Sequence, residues 1–239
     1  MAIALRSLQY VQAASVGGAG VPRPTGLAVG DLMLLFANYY NTSAGALSGP
    51  ADFTQICTGA VAGYYHFWCG YKVAVLADLT TAAWAVSAAL ATYSLNAVLA
   101  AFSGVVAASP VVGGGYAGSS TAGTNDTFTP GLSTVTADDL LVFFADHHFQ
   151  RAANFSGWQT ATQNPASWTE DLDHADASTT LGFAHGQASG VGATGAWTVT
   201  TADSDKWAIG AVILSGAAAP GGGGTVPLMA EHYSRLRKG

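Results

Sequence analysis

The sequence is poor in charge. Only 9% of its 239 residues are Asp, Glu, Lys or Arg, where an ordinary soluble domain carries about 25%. Glutamate occurs twice and lysine three times. Exposed helix faces are built mainly from Glu, Lys, Arg and Gln, so this scarcity argues against a helix-rich soluble fold. Cysteine is also scarce. Cys57 and Cys69 are too few to staple a small secreted scaffold. They can face each other across adjacent strands, and free thiols are the expectation. A net charge of −6 and a pI near 5.3 disfavour a nucleic-acid-binding domain. A secretory leader is not expected, because Arg6 and Gln9 break the stretch Met1 to Ala14 where an apolar run would lie. There is no G-x-S-x-G elbow and no Walker lysine.

Apolar material is plentiful. Hydrophobic residues make up 50% of the chain and aromatics 10%, which excludes disorder for want of a core. The surface must then be covered by Gly, Ser, Thr, Asn and Ala. One stretch resembles a membrane span: no charge falls between Asp78 and Asp126, and Ala82 to Ala101 is largely apolar.

An internal repeat removes that reading. Gly30 to Ala37 is echoed by Asp138 to Ala145, and Asp52-Phe53-Thr54 by Gly157-Trp158-Gln159. Phe67 to Ala74 matches Leu181 to Ala188, Ala83 to Val86 matches Ala196 to Val199, and Ala97 to Gly104 matches Ile209 to Gly216. Five blocks recur in one order at a spacing of about 110 residues, the mark of a duplication. The second copy of the apolar stretch contains Asp203, Asp205 and Lys206. Charges there fit a turn between strands and not a bilayer core.

Each copy reads as β. Val29 to Tyr40 and Thr136 to Phe149 are aliphatic and aromatic runs bounded by Gly and Asp. Trp84 and Val86, like Trp197 and Val199, are two residues apart and share a strand face. Gly and Pro punctuate the rest. The pattern predicts a single interleaved β-sandwich of ten to twelve strands over residues 1–216, with pseudo-repeats at about 26–104 and 134–216. No linker-like stretch separates the copies: residues 105–125 are Gly/Ser-rich but short, and include apolar Val111, Val112 and Tyr116.

The candidate chemistry is thin. The acidic run Glu170 to Asp176 fails a Ca²⁺-loop template, since Asp176 stands where Gly is needed and Gly182 where Glu is needed. It reads as a solvated strand edge protected by charge. Asp146, His147 and His148 end a strand, and alternation sends the two histidines to opposite faces. The G-x-G-x-x-G matches at Gly113 and Gly190 lack the strand-then-helix setting of a dinucleotide site. Cys57, Cys69 and His66 lie in apolar strand-like sequence and read as inert. No catalytic residue, metal or cofactor is expected, and the chain is not expected to be an enzyme. Trp84 and Trp197 are equivalent and assigned to the core, and Phe53 is matched with Trp158. Trp68 and Trp168 have no aromatic counterpart and are the surface candidates, the platform a carbohydrate-binding module would need.

After Gly216 the pattern stops. Residues 217–224 form an Ala/Pro/Gly linker. Residues 225–239 form a separate peptide with Leu228, Met229, His232, Tyr233, Arg235, Leu236, Arg237 and Lys238 as candidate contact residues. Residues 1–216 hold thirteen acidic groups against five basic ones, whereas the remainder holds three basic against one acidic. A cationic, apolar-studded peptide suits an anchor on an acidic neighbour, another copy of the body included.

Four motifs together resemble a known family. They are V-G-D-L-x-L at Val29 to Leu34, P-x-x-F-T at Pro50 to Thr54, Y-K-V-A at Tyr71 to Ala74, and V-L-A-A-F-S-G-V at Val98 to Val105. Over roughly residues 26–216 the chain resembles phage and prophage β-sandwich proteins. The second copy departs at His185-Gly186-Gln187-Ala188, and the peptide after Gly216 lies outside the shared pattern. The resemblance implies a virion structural protein of a tailed phage, assembled in the bacterial cytoplasm. Its partners would be the major capsid protein, other virion proteins and copies of itself, with no nucleic acid or membrane bound. The fold expected is all-β, a jelly-roll-like β-sandwich built from an internal duplication, with an extended C-terminal tail. Capsid cement or decoration is the leading role, and a tail, baseplate or fibre component or a carbohydrate-binding adhesion module is the alternative.

Overall fold

Leu32–Tyr40 is apolar or aromatic at every position but Asn38, and all nine residues are buried. A strand buried on both faces needs a layer packed against each. The computed structural model supplies both layers. It describes residues 2–13, 17–40, 45–61, 65–88, 94–148, 155–175 and 179–216.

The first half runs β1 (Ala4–Ala13), β2 (Gly18–Pro22), β3 (Leu32–Tyr40), β4 (Leu47–Ser48), β5 (Thr54–Val61), β6 (Tyr65–Val73), β7 (Ala83–Ala88) and β8 (Leu95–Ser103). A 3₁₀ turn, Leu76–Leu79, follows β6. The strands form a five-stranded antiparallel sheet, β1-β8-β3-β6-β5, and a three-stranded one, β2-β7-β4. This is jelly-roll order, with the fifth strand moved onto the larger sheet.

The second half repeats it. Its strands are β9 (Val111–Phe128), β10 (Ser133–Thr134), β11 (Leu140–His148), β12 (Phe155–Thr160), β13 (Thr169–Ala175), β14 (Thr179–Gln187), β15 (Gly192–Ala193) and β16 (Trp197–Leu214). The large sheet is β9-β16-β11-β14-β13. The first part of β16 leaves it to pair with β12 on one side and the end of β9 on the other. β9 therefore plays the parts of β1 and β2, and β16 those of β7 and β8. Register shifts between Thr200 and Trp207 mark where β16 passes from one sheet to the other.

The two large sheets pack face to face, giving four layers of three, five, five and three strands. Leu32, Leu34 and Phe36 point into the central core with their equivalents Leu140, Val142 and Phe144. The alternate residues Met33, Leu35 and Ala37 fill the first half's own core, and Leu141, Phe143 and Ala145 fill the second half's. Phe36 stacks on Phe144, with ring centroids 5.4 Å apart and planes 5° apart. A pseudo-two-fold axis runs between them along the strands, because β3 and β11 point the same way.

The duplication and the jelly-roll order match the expectation from sequence; the strand number does not. Among the described residues there are sixteen strands, against the ten to twelve expected, and each half has jelly-roll order. Most of the Gly/Ser-rich stretch between the copies is β9, an edge strand of eighteen residues. A Cβ at Gly114 would press on Ile56 of β5 and the backbone of Ala211. Glycine lets β9 close against the other half, so its abundance here marks packing and not a loop. Residues 82–104 hold two strands, β7 and β8, as the repeat requires. Among the described residues no helix is long and apolar enough to cross a membrane.

Candidate functional site

The two ends of the four-layer block differ in chemistry. At the proximal end β3 and β11 begin, β1 starts, and the described chain leaves at Gly216. Val105 bridges to Gly216, and the Val106 N–H donates to the Ser215 carbonyl (3.0 Å). The distal end lies beyond Tyr40 and His148.

Equivalent aspartates lock the proximal turns. Asp31 accepts from the Ala28 N–H (2.8 Å) and holds Arg6 through two hydrogen bonds of 2.6 and 3.1 Å. Asp139 accepts from the N–H groups of Val135 (2.6 Å), Thr136 (3.0 Å) and Gly216 (3.1 Å). Lys72 bridges Asp52 and Asp78 at 2.6 and 2.5 Å. Burial lowers the Lys72 pKa, but the two carboxylates outweigh it and the ammonium titrates above its ordinary value.

This end also exposes apolar side chains. Among the described residues six large hydrophobics are exposed, and five lie here: Val29 (58%), Val75 (50%), Leu76 (75%), Val135 (56%) and Val191 (70%). Val29 sits beside Val75, because the Gly30 N–H donates to the Ala74 carbonyl and the Ala74 N–H to the Asp31 carbonyl. Val135 sits beside Val191, flanking the pairing of Thr134 with Gly192. One group lies on each half. Exposed apolar patches of this kind mark contact surfaces.

The distal half of the seam is polar and buried. Asp146 accepts from Asn38 Nδ2 (2.8 Å) and Asn96 Nδ2 (2.9 Å). Thr179 donates to Asn96 Oδ1 (3.2 Å), and Gln12 donates to Thr179 (2.7 Å). The Tyr65 hydroxyl donates to the Lys206 carbonyl (2.9 Å). Each of these bonds joins one half to the other. Asn38 and Asp146 are equivalent in the repeat, so a donor meets an acceptor across the axis. Pairing two second halves would instead set carboxylate against carboxylate. The difference specifies one first half against one second half.

The remaining candidates resolve as structure. Trp68 is buried, which corrects the expectation of a surface ring there, and Trp168 is half-buried. Trp68 is 4% exposed. It packs against Gly49 and Gly70, and its indole donates to Gln55 (3.1 Å). Trp168 packs on Phe143 and Trp197, with the Trp197 centroid 5.6 Å away. It is the counterpart of Phe53, which meets Trp84 in the same edge-on way at 6.2 Å. The strand registers agree, since Thr54 pairs with Tyr71 and Thr169 with His185. The match of Phe53 to Trp158 is thereby corrected.

The acidic run forms the edge strand β13, as its charge suggests. Asp171 bonds His185 (2.6 Å), and Glu170 accepts from the Trp158 indole (2.5 Å). His147 pairs with Asp126, both wholly buried between the layers of the second half. Burial raises the Asp126 pKa against the lowering effect of His147. Asp146 faces the seam on the opposite side of β11, so it and His147 form no shared ligand set. Cys57 and Cys69 are free and opposite each other across β5 and β6. Burial pushes the Cys69 thiol well up, which disfavours the reactive thiolate. A cleft of about 240 Å³ lies between Gly45–Leu47 and Thr58–Ala60, with His66 in its lining. Among the described residues no group of three or more His, Cys, Asp or Glu could hold a metal ion. Leu228, Met229, His232, Tyr233, Arg235, Leu236, Arg237 and Lys238 lie outside the described residues.

Searches of family models, curated proteins and solved structures find no match to this chain.

Proposed function

We propose that the protein is a structural component of a tailed-phage virion, a cement or decoration protein that stabilises the capsid. Its partners are the major capsid protein and neighbouring copies of itself, and its place is the assembled particle. The observation that carries the reading is the proximal end. Among the described residues five of the six exposed large apolar side chains lie at the end where the described chain leaves at Gly216, toward the cationic C-terminal peptide. The rest of the block suits a passive, rigid part: three cores, a buried polar seam and a surface with little charge. Many copies on a lattice need only weak single contacts, because linked sites act at high effective concentration.

Co-sedimentation with purified, undecorated heads tests this. The full chain binds heads and a chain stopped at Gly216 binds at least tenfold more weakly. If neither binds heads, the cement reading fails. Binding to purified tails would then move the protein to a tail or baseplate position.

A further inference from the structure

We propose that the proximal end is the docking surface for the chain's own C-terminal peptide, residues 225–239. The inference rests on reading that peptide as an anchoring element, and adds where it is held before it meets a partner.

Three observations converge. The first is the set of exposed apolar side chains described at this end, one group on each half: Val29, Val75 and Leu76, and Val135 with Val191. Val29 lies in a turn locked by buried Asp31, Val75 in one locked by buried Asp78 and Val135 in one locked by buried Asp139, so these turns are preformed. The second is where the described chain ends. Gly216 is tied to Asp139 and Val105 at this end, beside the turn that carries Val135. Eleven residues, 217–227, separate it from Leu228. A Gly-rich chain of that length spans about 18 Å on average, enough to reach either group. The third is complementarity. The peptide carries Leu228, Met229, Tyr233 and Leu236 with Arg235, Arg237 and Lys238, against a body with thirteen acidic and five basic groups. Asp52 at this end keeps half of its side chain exposed beside Lys72.

Tethering decides between the chain's own peptide and another copy's. A link of this length and composition holds the peptide at an effective concentration of order millimolar. A free copy matches that only in a crowded assembly. A contact of about 0.1 mM intrinsic affinity is therefore about nine-tenths closed within one chain. Docking covers the apolar anchor until a lattice partner competes for it.

Hydrogen exchange on the full chain, compared with a chain stopped at Gly216, tests this. The shorter chain retains every described strand and core. Segments 26–31 and 74–80, 133–138 and 189–193, or both groups, should exchange about tenfold more slowly in the full chain. A Leu76→Asp, Val191→Asp double variant should remove the difference while leaving the strands protected. Equal exchange in the two chains would overturn the proposal. So would protection that grows with protein concentration, since that places the peptide on a second copy. Head co-sedimentation separates this from the anchor reading. If the segments are protected yet both chains bind heads alike, the docking stands and the anchor fails. If protection is absent yet binding needs the peptide, the anchor stands and the docking fails.

Discussion

Replacing Phe36 by Ala probes whether the two jelly rolls are one folding unit. Phe36 is fully buried, stacks on Phe144 at 5.4 Å and meets Phe183 edge-on at 6.1 Å. Truncating a buried Phe costs about 3–5 kcal/mol through lost transfer energy and the cavity left behind. The expected fall in Tm is about 10 °C for a chain of this size. Trp68 and Trp84 report on the first half; Trp158, Trp168, Trp197 and Trp207 report on the second. The central core is shared, so denaturant unfolding followed by tryptophan fluorescence should show one transition, displaced as a whole. Phe144→Ala should behave alike although it lies in the other half. The double variant should cost less than the two single costs added, by about 0.5–1.5 kcal/mol for the lost ring pair. Two separate transitions, with Phe36→Ala moving only the first half's signal, would refute the shared-core argument.

Other consequences can be checked by the same means. Asp146→Ala leaves the buried amides of Asn38 and Asn96 without their acceptor, and should cost about 2–5 kcal/mol in denaturant unfolding, more than Asp146→Asn. Asp139→Ala frees the N–H groups of Val135, Thr136 and Gly216, and should cost about 1–3 kcal/mol with faster amide exchange confined to that turn. Iodoacetamide at pH 8 should label Cys57 and spare Cys69, whose buried thiol titrates well above the ordinary value; equal labelling would contradict that burial. Asp126 holds its proton more tightly folded than unfolded, so its contribution to stability falls as pH rises from the ordinary carboxylate range through the raised native value. Asp126→Asn should flatten that part of the stability–pH curve, and an unchanged slope would count against the burial of the carboxyl.

Much of the fold was legible because period-2 alternation and a duplication both leave marks in sequence. β3 and β11, β6 and β14, and β8 with the end of β16 fall where the repeated blocks place them. The apolar runs at Leu32–Ala37 and Leu140–Ala145 are continuous because both faces of each strand are buried there. Where the reading failed, the side chains gave an ambiguous signal. Gly157-Trp158 imitates Asp52-Phe53 locally, yet strand register makes Trp168 the true counterpart of Phe53. Trp68 lacks an aromatic partner in the repeat because its ring fills space opened by Gly49 and Gly70, which no repeat comparison records. The proximal surface was not legible at all. Val29, Val75, Leu76, Val135 and Val191 are scattered in sequence and meet only through the turns at the ends of β3, β6, β11 and β14.

The most direct test of the account is the orientation of this protein on a phage head, determined by electron cryomicroscopy of heads incubated with the full chain. The account predicts a sixteen-strand block standing on the shell by its proximal end, with Leu76 and Val191 toward the capsid surface. A block attached by its distal end or its side would contradict it, as would a head left bare at saturating protein.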